Sequence, residues 1–317
     1  MALAAGVFLL AVGGAAARGL DRGYTPPGRV TALDETAAGI ATALAWSPRS
    51  CESVVLWQPP LFARRTFRAP GACPQTSTGR GISSVATDSS RVVWLSYVGG
   101  NTREYTLWTA TPTRRTPRQL RFASADVDAP APIVLGNGGE SGIPYAVGRD
   151  VFVIGPSGAR IRTWRAPARV TGLAEGATSV GVLVDTGHLF VVPLKSGGRI
   201  TDLEYPRGIV RAFRIATVGA IVQTPTGIEL RTASGASPLV KRPGARLAGF
   251  ADGQLVYTIG NQIREFVRSS RRDVPIRLGL APLTTEFDRT GMAWVSGRRV
   301  CWATRVFVAP GPHAGRC

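Results

Sequence analysis

The sequence has 317 residues, which is too long for one small core and suits one large β domain or two medium ones. Hydrophobic residues make up 44% and charged residues only 18%, so the composition excludes a disordered chain. The formal net charge of +18 favours anionic partners. Gly and Pro supply 38 and 23 residues without a collagen-like period, which indicates many tight turns and therefore many short strands.

The N-terminus has the pattern of a targeting segment. Residues 1–17 are uncharged and apolar, and Ala15 to Ala17 fit the A-x-A cleavage pattern before Arg18. We therefore predict a signal peptide over 1–17 and a secreted or cell-surface protein of bacterial export type. No Lys or Arg precedes the apolar run, and an uncleaved membrane anchor is the alternative.

Four cysteines agree with export. Cys51 lies near Cys73 in the sequence, and Cys301 lies near Cys317, so two local disulfides are predicted. A metal site would need a C-x-x-C motif or histidine partners, and the sequence has neither.

A repeat runs along the chain. Apolar runs end near Val184, Val222, Tyr257 and Trp294, which are 35 to 38 residues apart, and each is followed by a tight turn and an alternating run. Trp46 and Trp94 take the equivalent, inter-blade packing position in the first half. Seven units result: 36–80, 81–132, 133–168, 169–208, 209–245, 246–280 and 281–317.

Each unit has the length of four short antiparallel strands, which is one propeller blade. We predict an all-β fold, with residues 18–317 forming one β-propeller of about seven four-stranded blades. The last unit lacks a fourth strand, and the segment Gly28–Glu35 is expected to supply it and close the ring. A pair of β-sandwiches, or six or eight blades, is the alternative.

The "AWSP" of Ala45–Pro48 and the stretch Phe287–Ala303 resemble TolB-type and other WD40-like propellers. The resemblance covers two units well and the rest in outline, and no Trp-Asp dipeptide occurs. It implies a fold and not a function, because such propellers serve many unrelated tasks.

Motifs for catalysis are absent from the sequence. His188 and His313 lie in turn or tail contexts, and Asp88 and Asp288 are interpreted as caps of equivalent turns. The segment Gly136–Gly142 is interpreted as an exposed loop. We assign no catalytic, cofactor-binding or metal-binding residue and predict a non-catalytic binding or scaffold module. The alternative is a hydrolase or lyase acting on a carbohydrate or lactone, which acidic or mixed residues at the channel mouth would favour.

Arginine supplies nearly all of the positive charge, and several pairs follow the third strand of their unit. Such turns lie on one face of a propeller, so these arginines are candidates for anion binding: Arg64, Arg65, Arg114, Arg115, Arg271 and Arg272. The alternative is that they are solvated residues that protect sheet edges. The expected partner is a protein or an anionic polymer, without specific nucleic-acid recognition, and the chain is expected to be a monomer.

Overall fold

The computed structural model describes residues 22–36, 39–58, 63–74, 76, 78–88, 90–114, 116–278, 285–287, 291–304 and 313–314. The predicted signal peptide at 1–17 therefore lies outside the described residues. Every regular element within them is a β-strand. None of these residues belongs to a helix with the length and apolarity needed to cross a membrane.

The strands form seven four-stranded antiparallel blades in a ring, which confirms the predicted propeller. The chain begins with β1 (Arg22–Tyr24), which belongs to the last blade. Blade 1 contains β2 (Val30–Thr36), β3 (Gly39–Leu44), β4 (Ser53–Gln58) and β5 (Ala63–Phe67). Blade 2 contains β6 (Arg80–Thr87), β7 (Val92–Val98), β8 (Thr102–Ala110) and β9 (Arg118–Asp126). Blade 3 contains β10 (Ile133–Leu135), β11 (Ile143–Val147), β12 (Asp150–Ile154) and β13 (Arg160–Arg165).

The remaining blades repeat this plan. Blades 4 to 7 are β14 (Val170–Glu175), β15 (Ser179–Val184), β16 (Leu189–Pro193) and β17 (Thr201–Leu203); β18 (Ala212–Ala216), β19 (Gly219–Thr224), β20 (Gly227–Thr232) and β21 (Gly235–Val240); β22 (Arg246–Ala251), β23 (Gln254–Ile259), β24 (Gln262–Val267) and β25 (Arg272–Leu278); and β26 (Thr285–Phe287), β27 (Gly291–Ser296), β28 (Arg299–Thr304) and β1. A short strand β29 (His313–Ala314) pairs in parallel with the outer edge of blade 6.

The apolar runs that define the repeat are the second strands of the blades. Trp94 in β7 and Trp294 in β27 are fully buried there, because the second strand of a blade has a neighbouring blade over each face. Trp46 differs from the expectation: it follows β3, remains partly exposed, and its indole N–H donates to the Cys73 carbonyl at 2.9 Å.

Within the described residues the hydrophobic core forms seven clusters, one between each pair of neighbouring blades. The cluster between blades 7 and 1 contains Ile40 of β3, Trp57 of β4 and Trp302 of β28. The ring is therefore closed by side-chain packing as well as by backbone hydrogen bonds.

The closing strand is β1, and the expectation that Gly28–Glu35 supplies it was wrong. Strand β1 pairs with β28 in the register Arg22 to Trp302 and Tyr24 to Val300. The segment Val30–Thr36 is instead β2, the innermost strand of blade 1, which pairs with β3. Its four last residues are buried, as an innermost strand requires.

The predicted Cys51–Cys73 disulfide is confirmed. It connects the turn before β4 with the segment between β5 and β6, and it closes a loop with a sequence separation of 22. Loop-closure entropy for that length corresponds to about 3 kcal/mol. Cys301 is buried in β28. Its predicted partner Cys317 lies outside the described residues, so that pairing stays a prediction.

Tyr24 is the residue of β1 that holds the ring closed, and its removal tests the closure. It is 7% exposed, packs edge-on against Trp57 at 5.0 Å between ring centroids, and donates a hydrogen bond to Thr42 at 3.1 Å. We expect Tyr24→Ala to lower the free energy of unfolding by about 3–4 kcal/mol, as for other buried aromatic truncations. Tyr24→Phe, which loses only the hydroxyl bond, should cost about 1 kcal/mol. Urea unfolding measures both, and equal losses would contradict a packing role for the ring.

Candidate functional site

The innermost strands run in the same direction around the central channel, so their carboxyl ends meet at one face of the disc. Strands alternate in direction within a blade, so the turn between the third and fourth strands opens on that face too. We call it the mouth face. Arg91, in the first turn of blade 2, accordingly donates to the Pro156 carbonyl in the outer turn of blade 3 at 2.8 Å.

A cavity of about 380 Å³ opens at the centre of the mouth face, and we call it the mouth. It is lined by blades 1, 3, 4, 5, 6 and 7, mostly by residues at the ends of the innermost strands. Carboxylic acids outnumber arginines in this lining, the reverse of the whole chain with its 20 acidic and 38 basic residues. The charged lining residues are Asp34, Glu35, Glu140, Glu175, Asp252 and Glu286, with Arg214 and Arg268.

Asp34 is the most enclosed of these acids and connects three blades. Its side chain is 3% exposed, and Oδ2 accepts hydrogen bonds from the Thr87 N–H of blade 2 at 2.7 Å and the Gly138 N–H of blade 3 at 3.2 Å. Burial and the nearby charge of Glu286 raise the pKa of Asp34 well above its usual range, although both N–H groups oppose this. Asp34 therefore holds the wall of the mouth together.

Glu286 forms the main ion pair of the mouth, with Arg214. Arg214 lies on β18 in blade 5 and Glu286 on β26 in blade 7, and Arg214 also donates to the Ala248 carbonyl of blade 6 at 3.4 Å. Burial raises the pKa of Glu286 despite the opposing charge of Arg214. The pair thus connects three successive innermost strands, opposite the contacts of Asp34.

The segment Gly136–Gly142 lines the mouth, and its interpretation as an exposed loop was wrong. A Cβ on Gly138 would lie 1.8 Å from the Thr87 carbonyl oxygen, and one on Gly139 would lie 1.9 Å from a Glu175 carboxylate oxygen. The Ser141 N–H donates to Glu175 at 3.0 Å. Glycine is required at position 138 because the loop packs there directly against the Thr87 backbone, whereas a side chain at position 139 would displace the Glu175 carboxylate.

The mouth is mixed in charge, which is the arrangement expected to favour an enzyme. However, Asp34 accepts two backbone N–H groups, Glu175 accepts one, and Glu286 is paired with Arg214. These acids therefore have structural partners. Among the described residues, no three His, Cys, Asp or Glu side chains are grouped so that they could hold a metal ion. The oxygens that face the cavity suit ammonium, guanidinium or hydroxyl groups.

The candidate arginines lie on blades 1, 2 and 6. Arg64 and Arg65 are in β5, the outer strand itself, whereas Arg114 is in the turn before β9. The Arg65 guanidinium donates to the Pro112 carbonyl, so the outer strand of blade 1 touches the outer turn of blade 2. Arg271 lies in the turn before β25 and Arg272 is the first residue of that strand, and blade 7 separates both from blades 1 and 2. Arg115 lies outside the described residues.

Asp88 caps its turn as predicted, because Oδ1 accepts the N–H groups of Ser90 at 2.7 Å and Arg91 at 2.8 Å. Asp288 lies outside the described residues. His188 contacts Asp202 through Nδ1 at 3.0 Å, on an exposed outer part of blade 4.

The mouth acids were missed, although the sequence holds a signal for them. Several innermost strands end in an acid next to the first turn, as in "LDET", "LAEG", "FADG" and "TEF". Since the carboxyl ends of these strands converge in a propeller, that repeated position predicts an acidic mouth. The spacing of the apolar runs gives the number of blades, whereas the acidic mouth becomes evident only when the charge at the same turn of each unit is compared.

Comparison with known proteins supports the fold. No protein-family model and no curated protein sequence matches the chain. Among solved structures, it is similar to a WD40 protein from the crystal structure of the mitotic checkpoint complex, with a TM-score of 0.57 and 13% identity over 96% of this chain and 99% of that chain. This confirms a WD40-like propeller at the level of the fold. The TolB-type resemblance stays a prediction.

The raised pKa of Asp34 predicts how stability depends on pH. In the folded protein the Asp34 carboxyl group keeps a proton that it releases above about pH 4 in the unfolded chain. The stability that this proton contributes is therefore complete below about pH 4, and it is lost as the pH rises through the folded-state pKa of Asp34. The amide side chain that Asp34→Asn introduces is uncharged at every pH and still has a carbonyl oxygen that can accept hydrogen bonds. We expect the urea midpoint of Asp34→Asn to fall less than that of the parent between pH 4 and pH 8.

The matched control is Asp128→Asn, an exposed site outside the mouth. It should leave the pH dependence of the parent unchanged. Identical pH profiles for the parent and Asp34→Asn would contradict the raised pKa.

Proposed function

We propose that this chain is an exported, non-catalytic binding module whose protein partner docks on the mouth face. The observation that carries the proposal is the concentration of carboxylates around the mouth of a chain with a net charge of +18. Carboxylates gathered in a partly enclosed site attract positive or hydroxyl-bearing groups more strongly than isolated surface acids do. A basic segment of the partner is therefore expected to enter the mouth.

Export and a protein partner have separate support. A disulfide between Cys51 and Cys73 suits an oxidising compartment and is rare in the cytosol. The similar solved propeller comes from a multi-protein complex, which supports a protein partner by analogy. We further propose that the chain is a monomer when unbound and does not recognise specific nucleic-acid sequences.

The alternative is a hydrolase or lyase that acts on a carbohydrate or lactone. Glycoside hydrolysis needs two carboxyl groups that flank the scissile bond, one as acid and one as base or nucleophile. Asp34 and Glu286 share the cavity and have raised pKa values, which is the observation in favour of this alternative. Their hydrogen bonds to the backbone and to Arg214 give them structural roles, and on that ground we prefer the binding function.

The test changes two exposed acids at the mouth. Glu140 and Asp252 line the cavity at loop and turn positions, and asparagine tolerates the positive φ of 47° at position 252. We expect Glu140→Gln/Asp252→Asn to weaken binding of a tri-lysine peptide by about three- to tenfold, because each exposed ion pair contributes little by itself. Isothermal titration of the parent and the variant at one salt concentration measures the change.

The matched control is Asp126→Asn/Asp128→Asn, which removes the same charge from exposed sites at the end of β9. Equal weakening by both double variants would assign the effect to net charge and contradict the mouth as the binding site. Hydrolysis of an aryl glycoside by the parent that is lost in Glu286→Gln would instead establish the enzymatic alternative.

A second candidate function is attachment to an anionic polymer through the arginines near the rim. The contact between Arg65 and Pro112 favours it, since this contact brings the outer strand of blade 1 against the outer turn of blade 2, which also carries Arg114. Adjacent arginines raise the local potential, and the attraction weakens with salt.

This candidate is tested by changing Arg64, Arg65, Arg114, Arg115, Arg271 and Arg272 to glutamate. Retention on heparin should be lost, and in the parent it should fall steeply with salt. The matched control changes six exposed arginines that lie towards the other face: Arg29, Arg49, Arg149, Arg207, Arg211 and Arg246. If both variants lose retention equally, the rim arginines have no special role.

A further inference from the structure

A second cavity, of about 490 Å³, lies between blades 2 and 3, away from the mouth. Strand β9 forms one wall with Arg118 and Arg121, and blade 3 forms the other with Tyr145 and Arg160. We call this cavity the interblade cleft. Arg118 and Arg160 are the first residues of outer strands that follow turns of the mouth face, so the cleft opens towards that face.

The lining of the interblade cleft includes the ring of Tyr145, which stacks on a second aromatic ring. Tyr145 and Phe152 are opposite each other on β11 and β12, and their rings stack with centroids 5.0 Å apart. The Arg121 guanidinium lies 5.3 Å from the Phe152 centroid and 5.8 Å from that of Tyr145. The Arg160 guanidinium lies 4.6 Å from the Phe152 centroid.

These ring contacts fix two guanidinium groups that would otherwise rotate freely. Arg121 also donates one N–H to the Leu120 carbonyl at 2.8 Å. Arg160 is near enough to the Tyr145 hydroxyl to lower its pKa, against the larger effect of burial, which raises it. A guanidinium has five N–H donors, so most donors of each group remain for a ligand. Because the groups are held before binding, less side-chain entropy is lost when a ligand arrives.

The positive charge of the interblade cleft is not neutralised by a described carboxylate. The lining contains three arginines and no acidic residue, and none of the three forms an ion pair among the described residues. The neighbouring Arg91 is different, because it lies beside the buried Asp88 at 3.5 Å. Three arginines without an ion pair among the described residues therefore line one concave site.

We propose that the interblade cleft binds a phosphate or sulfate ester of a small organic molecule. Planar guanidinium groups match the oxygens of a tetrahedral oxyanion in paired hydrogen bonds. One water molecule takes about 30 Å³ of liquid volume. The cleft, at about 490 Å³, therefore has room for an organic group beside the anionic one. The uncharged part of the ester occupies the remaining space over Tyr145 and Ile154.

The test compares inorganic phosphate, glucose 6-phosphate and glucose in titration calorimetry with the intact chain. We expect both phosphates to bind, glucose 6-phosphate at least as tightly as inorganic phosphate, and glucose not to bind. Arg121→Gln and Arg160→Gln should each weaken glucose 6-phosphate binding by about tenfold, which is the usual effect of losing a charge-assisted hydrogen bond. Arg160 is exposed, so its variant should fold as the parent does.

The control is Arg165→Gln on the same strand as Arg160, where Arg165 pairs with Asp150 outside the cleft. It removes the same charge and should leave binding unchanged. Binding that is lost equally in Arg165→Gln, or kept in both cleft variants, would overturn the proposal. Inorganic phosphate bound more tightly than the ester would reduce the site to one for the free anion. The Glu140→Gln/Asp252→Asn variant should bind the ester as the parent does, so failure of the mouth proposal and failure of this one are distinguishable.

Discussion

The fold depends on closure of the ring. A four-stranded sheet has two apolar faces, and each of the seven hydrophobic clusters uses side chains from two neighbouring blades. An open row of blades would therefore leave two faces in water. Closure is achieved by β1, a three-residue strand that joins the chain near its start to β28 near its end. Burial of Tyr24 against Trp57 strengthens a junction that has few backbone hydrogen bonds.

Closure also determines where the chemistry of the chain lies. Once the innermost strands are parallel around one axis, residues far apart in sequence meet at their carboxyl ends. Asp34 and Gly138, which are 104 positions apart, hydrogen-bond there, and Arg214 pairs with Glu286 across 72 positions. Burial of the two carboxyl groups raises their pKa values and costs stability at neutral pH, while their hydrogen bonds position the loops of the mouth. The mouth thus combines structural acids with exposed ones such as Glu140.

The sequence was sufficient for features that repeat. Apolar runs at constant spacing predicted seven blades because each run is a buried second strand, and local spacing predicted the Cys51–Cys73 disulfide. Strand β1 was missed because three residues with one buried side chain produce no period, whereas Val30–Thr36 alternates and resembles a missing fourth strand. The loop Gly136–Gly142 was misread because glycine is typical both of exposed turns and of tight backbone packing. Only the neighbouring blade distinguishes the two, and it is distant in sequence.

Charge is segregated on the mouth face, and this bears on how a partner would bind. Acids surround the centre, while arginines lie in the interblade cleft and towards the rim of blades 1 and 2, and those of the cleft form no ion pair within the described part of the chain. At physiological salt the Debye length is about 8 Å, so a ligand in the mouth is influenced mainly by the nearby acids and not by the net charge of +18. An approaching macromolecule is attracted first by the basic outer region. A partner that has a protruding basic segment with acidic residues around it is complementary to both regions. A partner surface of uniform charge is complementary to only one of them.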